Sequence, residues 1–98
     1  MKIRISEHVG TQCASIDDGQ KVYRLLAPEF QNGNLVELNF EGVESILTPF
    51  LHNSVGRLLG EYEKETVMER LVLCNLSAEQ LKLLNLYVDR KDAEQFED

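Results

Sequence analysis

Between Leu35 and Tyr62 the spacing of apolar residues changes from a period of two to one of about 3.6. Val36, Leu38 and Phe40 alternate with Glu37, Asn39 and Glu41, which is the pattern of a half-buried strand. From Thr48 onward, Leu51, Val55, Leu58, Leu59 and Tyr62 fall on one stripe of a helix. The same hand-over from strand to helix is written before and after this stretch. A strand that reaches the next strand only through a helix needs a crossover, so the strands run parallel with right-handed connections.

Lys2-Ile3-Arg4-Ile5-Ser6 alternates polar and apolar and predicts the first strand, followed by a loop around Gly10. Ser15, ahead of Asp18, is placed to cap a helix whose apolar face is Val22, Leu25, Leu26 and Phe30. Pro28 weakens or tightens its last turns, and Asn32-Gly33-Asn34 ends it. Residues 63–69 are charged and predict a short connecting helical turn. Arg70-Leu71-Val72-Leu73-Cys74-Asn75-Leu76 is apolar on both faces, as a central strand covered on both sides would be. Ser77 and Gln80 then form a capping box, with Leu76 and Leu81 in the positions of a hydrophobic staple. The last helix carries Leu81, Leu84 and Val88 on one face, with Leu83, Leu86 and Tyr87 beside them. Residues 89–98 form an acidic tail expected to fray. Gly56 and Gly60 lie four apart on the helix from Thr48 and could let another backbone come close, a weak packing signal. The expected fold is a single α/β domain over residues 1–98, a small β-α-β-α-β-α layer structure with a mainly parallel sheet.

Charge narrows the partners. Ten Lys and Arg against 17 Asp and Glu give a net charge of −7, with the two signs interspersed and no basic stripe. Such a surface repels phosphate backbones and anionic lipid, which argues against nucleic-acid and membrane partners. No apolar run approaches the ~20 residues that cross a bilayer. The start, MKIRISEHVG, lacks the apolar core of a signal peptide, so a cytoplasmic location is expected. Cys13 and Cys74 are far apart and are expected to be reduced thiols, Cys74 within an apolar run.

Site chemistry is sparse. His8 and His52 are the only histidines; there is no HxxxH or HExxH pattern, and the cysteine spacing fits no zinc motif. A thiol nucleophile would need His8 to meet Cys13 across the loop. Neither GxxxxGK[ST] nor GxGxxG occurs, so no nucleotide cofactor is expected. The acids lie in solvated charged stretches such as residues 61–65, where chance pairs are common. These readings describe a protein that is not an enzyme and carries no cofactor or metal.

The stretch VELNFEGVESILTPFLHNSVGRLL resembles the core of the STAS-like family of small bacterial proteins. In that family a strand ending in Asp/Asn-Phe-x-Gly-Val leads through a Ser/Thr-rich turn into a helix beginning near a Phe. Leu38, Asn39, Phe40, Gly42, Val43, Thr48 and Phe50 match that pattern. Upstream, residues 14–21, ASIDDGQK, are similar to the family's Ala-Ser-x-x-Asp-Gly helix start, and the likeness covers roughly residues 2–76. Related STAS domains include anti-sigma factor antagonists, which are non-catalytic regulatory modules. Their Ser or Thr at this helix mouth is phosphorylated by an ATP-using anti-sigma kinase.

By position the resemblance makes Thr48 the phosphoacceptor. It implies a protein partner, a histidine-kinase-like ATPase or anti-sigma-type regulator, bound around Ser45, Thr48, His52 and Asn53. This chain departs from those relatives at Leu47, where they carry Asp, and at Pro49-Phe50, which replaces a Ser-Gly pair. Two readings of Thr48 stand side by side. As a helix N-cap its oxygen accepts a backbone N–H, worth about 1 kcal/mol, with Pro49 favoured at the first helical position. As a phosphoacceptor it gains a charge of about −2 and repels a partner surface suited to a neutral hydroxyl. The alternative to a regulatory module is a structural or homo-oligomerising one that pairs sheet edges and has no phospho-switch.

Overall fold

A computed structural model describes residues 1–95 of the chain. The elements run β1 (Lys2–Arg4), α1 (Ile5–Val9), β2 (Gln12–Cys13), α2 (Ile16–Gln31), β3 (Val36–Asn39) and β4 (Ser45–Ile46). They continue as α3 (Thr48–Asn53), α4 (Val55–Glu61), α5 (Lys64–Arg70), β5 (Leu71–Cys74) and α6 (Ala78–Gln95). The strands pair in parallel as expected: β1-β3-β5 in one sheet and β2-β4 in a second. The Cα radius of gyration, 12.5 Å, is that of one compact domain of this length.

Register explains which face of the main sheet is dry. Ile3, Leu38 and Leu73 lie side by side, as do Lys2, Glu37 and Val72, and Arg4, Asn39 and Cys74. Strand side chains alternate, so the first row faces the helices and the other two face away. Ile3, Val36, Leu38 and Leu71 are buried, whereas Val72 is 46% exposed. The strand after Arg70 is therefore an edge strand with one covered face. Its apolar run comes from Val72 and Cys74 on the outer side, which a period count alone reads as a second buried face. The central strand is β3.

Three expected elements change. Ile5 and Ser6 begin α1 rather than ending β1, and this places Ile5 in the core at 0% exposure. The long helix expected from Thr48 is broken at Ser54, whose backbone (φ −120°, ψ −89°) is not helical. The Ser54 hydroxyl, fully buried, donates to the Phe50 carbonyl at 2.8 Å and satisfies it at the break. The residues between 63 and 71 form a complete helix, α5, not a single turn.

Local signals elsewhere hold. Ser15 Oγ accepts from the Asp18 N–H at 3.0 Å. At the far end of α2, Asn34 N–H returns to the Glu29 carbonyl at 2.9 Å, while Gly33 takes φ +73°. Arg70 donates to the Phe30 carbonyl at 2.9 Å, so the end of α5 closes the end of α2. The Ser77–Gln80 capping box is reciprocal, at 3.0 and 3.1 Å, and Gln80 Nε2 also reaches the Val43 carbonyl. In α6 the buried stripe is Leu84 and Val88; Leu81, expected in it, is 44% exposed. Helix α6 continues past Asp89 through Gln95, and the last part of the expected tail, 96–98, lies outside the described residues.

Candidate functional site

Helix α3 reaches its place because α2 lets it come unusually close. A Cβ on Gly19 would stand 2.6 Å from the Phe50 carbonyl oxygen and 2.8 Å from Asn53 Cβ, so only glycine fits. Phe50 and Leu51 fill the core beneath, leaving Thr48 and His52 on the outside. The two-stranded β2-β4 sheet holds the approach to α3: Leu47 N–H donates to the Cys13 carbonyl at 2.9 Å.

On the other side stands α6. Between them lies a cleft of about 350 Å³, with Thr48 and His52 on the α3 wall. The α6 wall is Leu83, Leu86, Tyr87, Arg90 and Lys91. Tyr87 ties the walls together, its hydroxyl 3.1 Å from His52 Nδ1. Gly56 on α4 makes this contact feasible, because a Cβ there would collide with the Tyr87 hydroxyl. Gly60, its expected companion, faces open space, so the pair is no helix-packing motif; Gly56 alone has a packing role, toward a side chain.

The expected site residues divide here. Thr48 and His52 line the cleft. Ser45 is half-buried in β4, paired with Gln12. Asn53 donates its amide to the Pro49 carbonyl at 2.8 Å and stabilises α3 from within. The capping role of Thr48 does not survive: Leu47 is the N-cap, no side chain caps the helix, and Thr48 is its first residue. A residue already inside the first turn cannot fold its hydroxyl back onto N–H groups ahead of it. Pro49 accordingly sits one position later than expected. Sequence reasoning missed Leu83, Leu86, Arg90 and Lys91 as site residues. Their signal was a second stripe on α6, Leu83, Leu86 and Arg90, offset from the core stripe and ending in cations.

The thiols are poor nucleophiles. Cys13 is fully buried, and burial, with Asp18 nearby, pushes its pKa from 9.0 up to about 11. His8 is exposed on α1, and no hydrogen bond joins it to Cys13 among the described residues. Cys74 is also shifted up, by burial and then by Glu37, and its Sγ lies 3.5 Å from the Leu38 carbonyl oxygen. Both cysteines are free. Among the described residues, no group of three or more His, Cys, Asp or Glu is arranged to hold a metal. No helix among them is long and apolar enough to cross a membrane.

The motif residues upstream of the cleft have structural duties. Asn39 Oδ1 accepts from Glu41 N–H at 2.9 Å and from Asn75 Nδ2 at 2.8 Å, joining the ends of β3 and β5. Gly42 takes φ +84°, which a side chain would strain, and Val43 N–H closes the turn onto Phe40. Such a parallel α/β domain, with its α3 mouth set by Asn39-Phe40-x-Gly42-Val43 and by Gly19, defines a class of fold. The family described as a STAS-like domain of unknown function matches residues 18–81, and the chain belongs to that family. No curated protein and no solved structure matches the chain.

Proposed function

We propose that the domain is a non-catalytic regulatory module that binds a protein partner over the mouth of α3, from Leu47 to His52, and the adjoining face of α6. The observation that carries this reading is the state of Thr48. Its hydroxyl is exposed, makes no capping bond, and sits next to Leu47, 51% exposed, and opposite Leu86, 54% exposed. Large apolar side chains rimmed by polar groups favour a macromolecular contact. In this reading the partner is a histidine-kinase-like ATPase or an anti-sigma-type regulator and Thr48 the phosphoacceptor, by analogy with the anti-sigma factor antagonists that the STAS-like family resembles. A phosphate there would place about two negative charges in the contact without touching the core.

The test is affinity capture from a lysate of the source organism. Wild type, Thr48→Glu and Leu86→Asp are compared, with bound proteins identified by mass spectrometry. A partner held by wild type and lost by both variants supports the surface. The same partner retained by both refutes its placement, and retention by Thr48→Glu alone removes the phospho-switch.

A second reading, self-association, is favoured by the outer face of the main sheet, where Val72 is 46% exposed on the edge strand beside Glu37, which separates it from Lys2. All-parallel sheets are usually covered on both faces. Light scattering over a dilution series distinguishes it: a persistent oligomer abolished by Val72→Glu favours self-association over the partner reading.

A further inference from the structure

The cleft between α3 and α6 has a chemistry of its own. Its volume, about 350 Å³, lies at the small end of the range for ligand pockets. One end is apolar: Leu83 and Leu86 remain 37% and 54% exposed, beside the ring of Tyr87. The other end holds Arg90 and Lys91, with the Thr48 hydroxyl in the same lining. Among the described residues, no carboxylate lines it.

That separation is unusual for this chain. Acids outnumber bases 17 to 10, yet two bases come together at one end of a cavity. The ion pairs among the described residues are Arg4 with Glu7 and Glu41, and Lys64 with Asp89; Arg90 and Lys91 take part in none of them. The back of the cavity is fixed rather than collapsible. Tyr87 is held by His52 and seated over Gly56, so its ring stays in place as a wall. An apolar wall ending in a pair of cations selects one kind of ligand, because the apolar half disfavours charged groups and the cationic half disfavours other cations.

We propose that this cleft binds a small amphiphilic carboxylate. Its alkyl chain lies against Leu83, Leu86 and Tyr87, and its carboxylate accepts hydrogen bonds from Arg90, Lys91 and the Thr48 hydroxyl. The proposal shares Thr48, His52 and Leu86 with the partner surface but does not rest on it, and its test contains no partner protein.

The experiment is an NMR titration of the isotope-labelled full chain with octanoate, 1-octanol and acetate in parallel. Octanoate is expected to give saturable amide shifts centred on Thr48, His52 and residues 83–91. Acetate, lacking the chain, and 1-octanol, lacking the charge, should each bind at least about tenfold more weakly, the loss expected when one half of a two-part contact is removed. The double variant Arg90→Gln, Lys91→Gln should weaken octanoate about tenfold and leave 1-octanol within roughly twofold. Leu86→Asn should weaken both. Arg90 and Leu86 are exposed and Lys91 is half-buried, so circular dichroism of each variant first checks that the fold is kept. Absence of saturable shifts at millimolar octanoate, shifts centred on another surface, or equal binding of 1-octanol unaffected by the double variant would each overturn the proposal. Octanoate binding with no captured partner would sustain the ligand site and count against the partner reading alone.

Discussion

Two neighbouring regions of this domain are built on opposite terms. The joint that carries the chain from β3 to α3 spends its motif residues on its own geometry: Asn39 serves two donors, Gly42 supplies a left-handed turn, and Gly19 admits the backbone of α3. The cleft next to it is under-used. Thr48 caps nothing, Leu83 and Leu86 are left partly in water, and Arg90 and Lys91 take part in none of the ion pairs among the described residues. Most of the family motif thus specifies a shape, and the proposed recognition role falls on the surface beside it. Residues that define the family and residues that do its work need not be the same.

The contrast can be broken most severely at Gly19. Gly19→Val is expected to cost about 2–3 kcal/mol, because the α2–α3 approach has no room for a side chain. For a domain of this size that lowers Tm by roughly 10 °C or more, measurable by circular dichroism. Asn39→Ala should cost about 1 kcal/mol, since it removes two hydrogen bonds whose exposed donors, the Glu41 N–H and the Asn75 amide, turn to water; urea unfolding checks it. Next comes the buried thiol. Cys13 releases its proton near pH 11 in the folded chain and near 9.0 when unfolded, so between those values the unfolded chain holds fewer protons. Stability is therefore complete below pH 9 and falls as pH rises toward 11. Cys74 contributes with the same sign, so Cys13→Ala should flatten the decline in urea midpoint without abolishing it. The smallest effect sharpens the comparison from the other side. Thr48→Ala should change stability by less than about 0.5 kcal/mol, whereas a capping threonine would cost about 1.

Features encoded within a few residues were legible in the sequence. The Ser15 cap, the Gly33 stop, the alternation of β3 and the Ser77–Gln80 box each depend on near neighbours, and each is present. Features that depend on distant partners were not. Strands β2 and β4 have two residues each, too short to show a period, and exist only because Cys13 and Ile46 meet. The break at Ser54 leaves the apolar stripe of α3 and α4 intact, so nothing in the spacing marks it. Of the site, Thr48 and His52 were visible through the family motif. Leu83, Leu86 and Arg90 were hidden because an amphipathic helix with two apolar stripes looks like one broad stripe until its neighbour is placed.

The parallel sheets also set the order in which this chain can assemble. Strand β1 pairs with β3, β3 with β5, and β2 with β4, so no two strands consecutive in the chain are partners. The first pairing, Lys2 with Glu37, closes a loop that contains all of α2. There is no hairpin to act as a local seed, and each register must wait for a helix to bring its strands together. Helix α2, with its cap and its stop written into adjacent residues, is the element best equipped to form early. Substitutions that weaken α2 should therefore slow folding, and those confined to β5 or α6 should chiefly hasten unfolding.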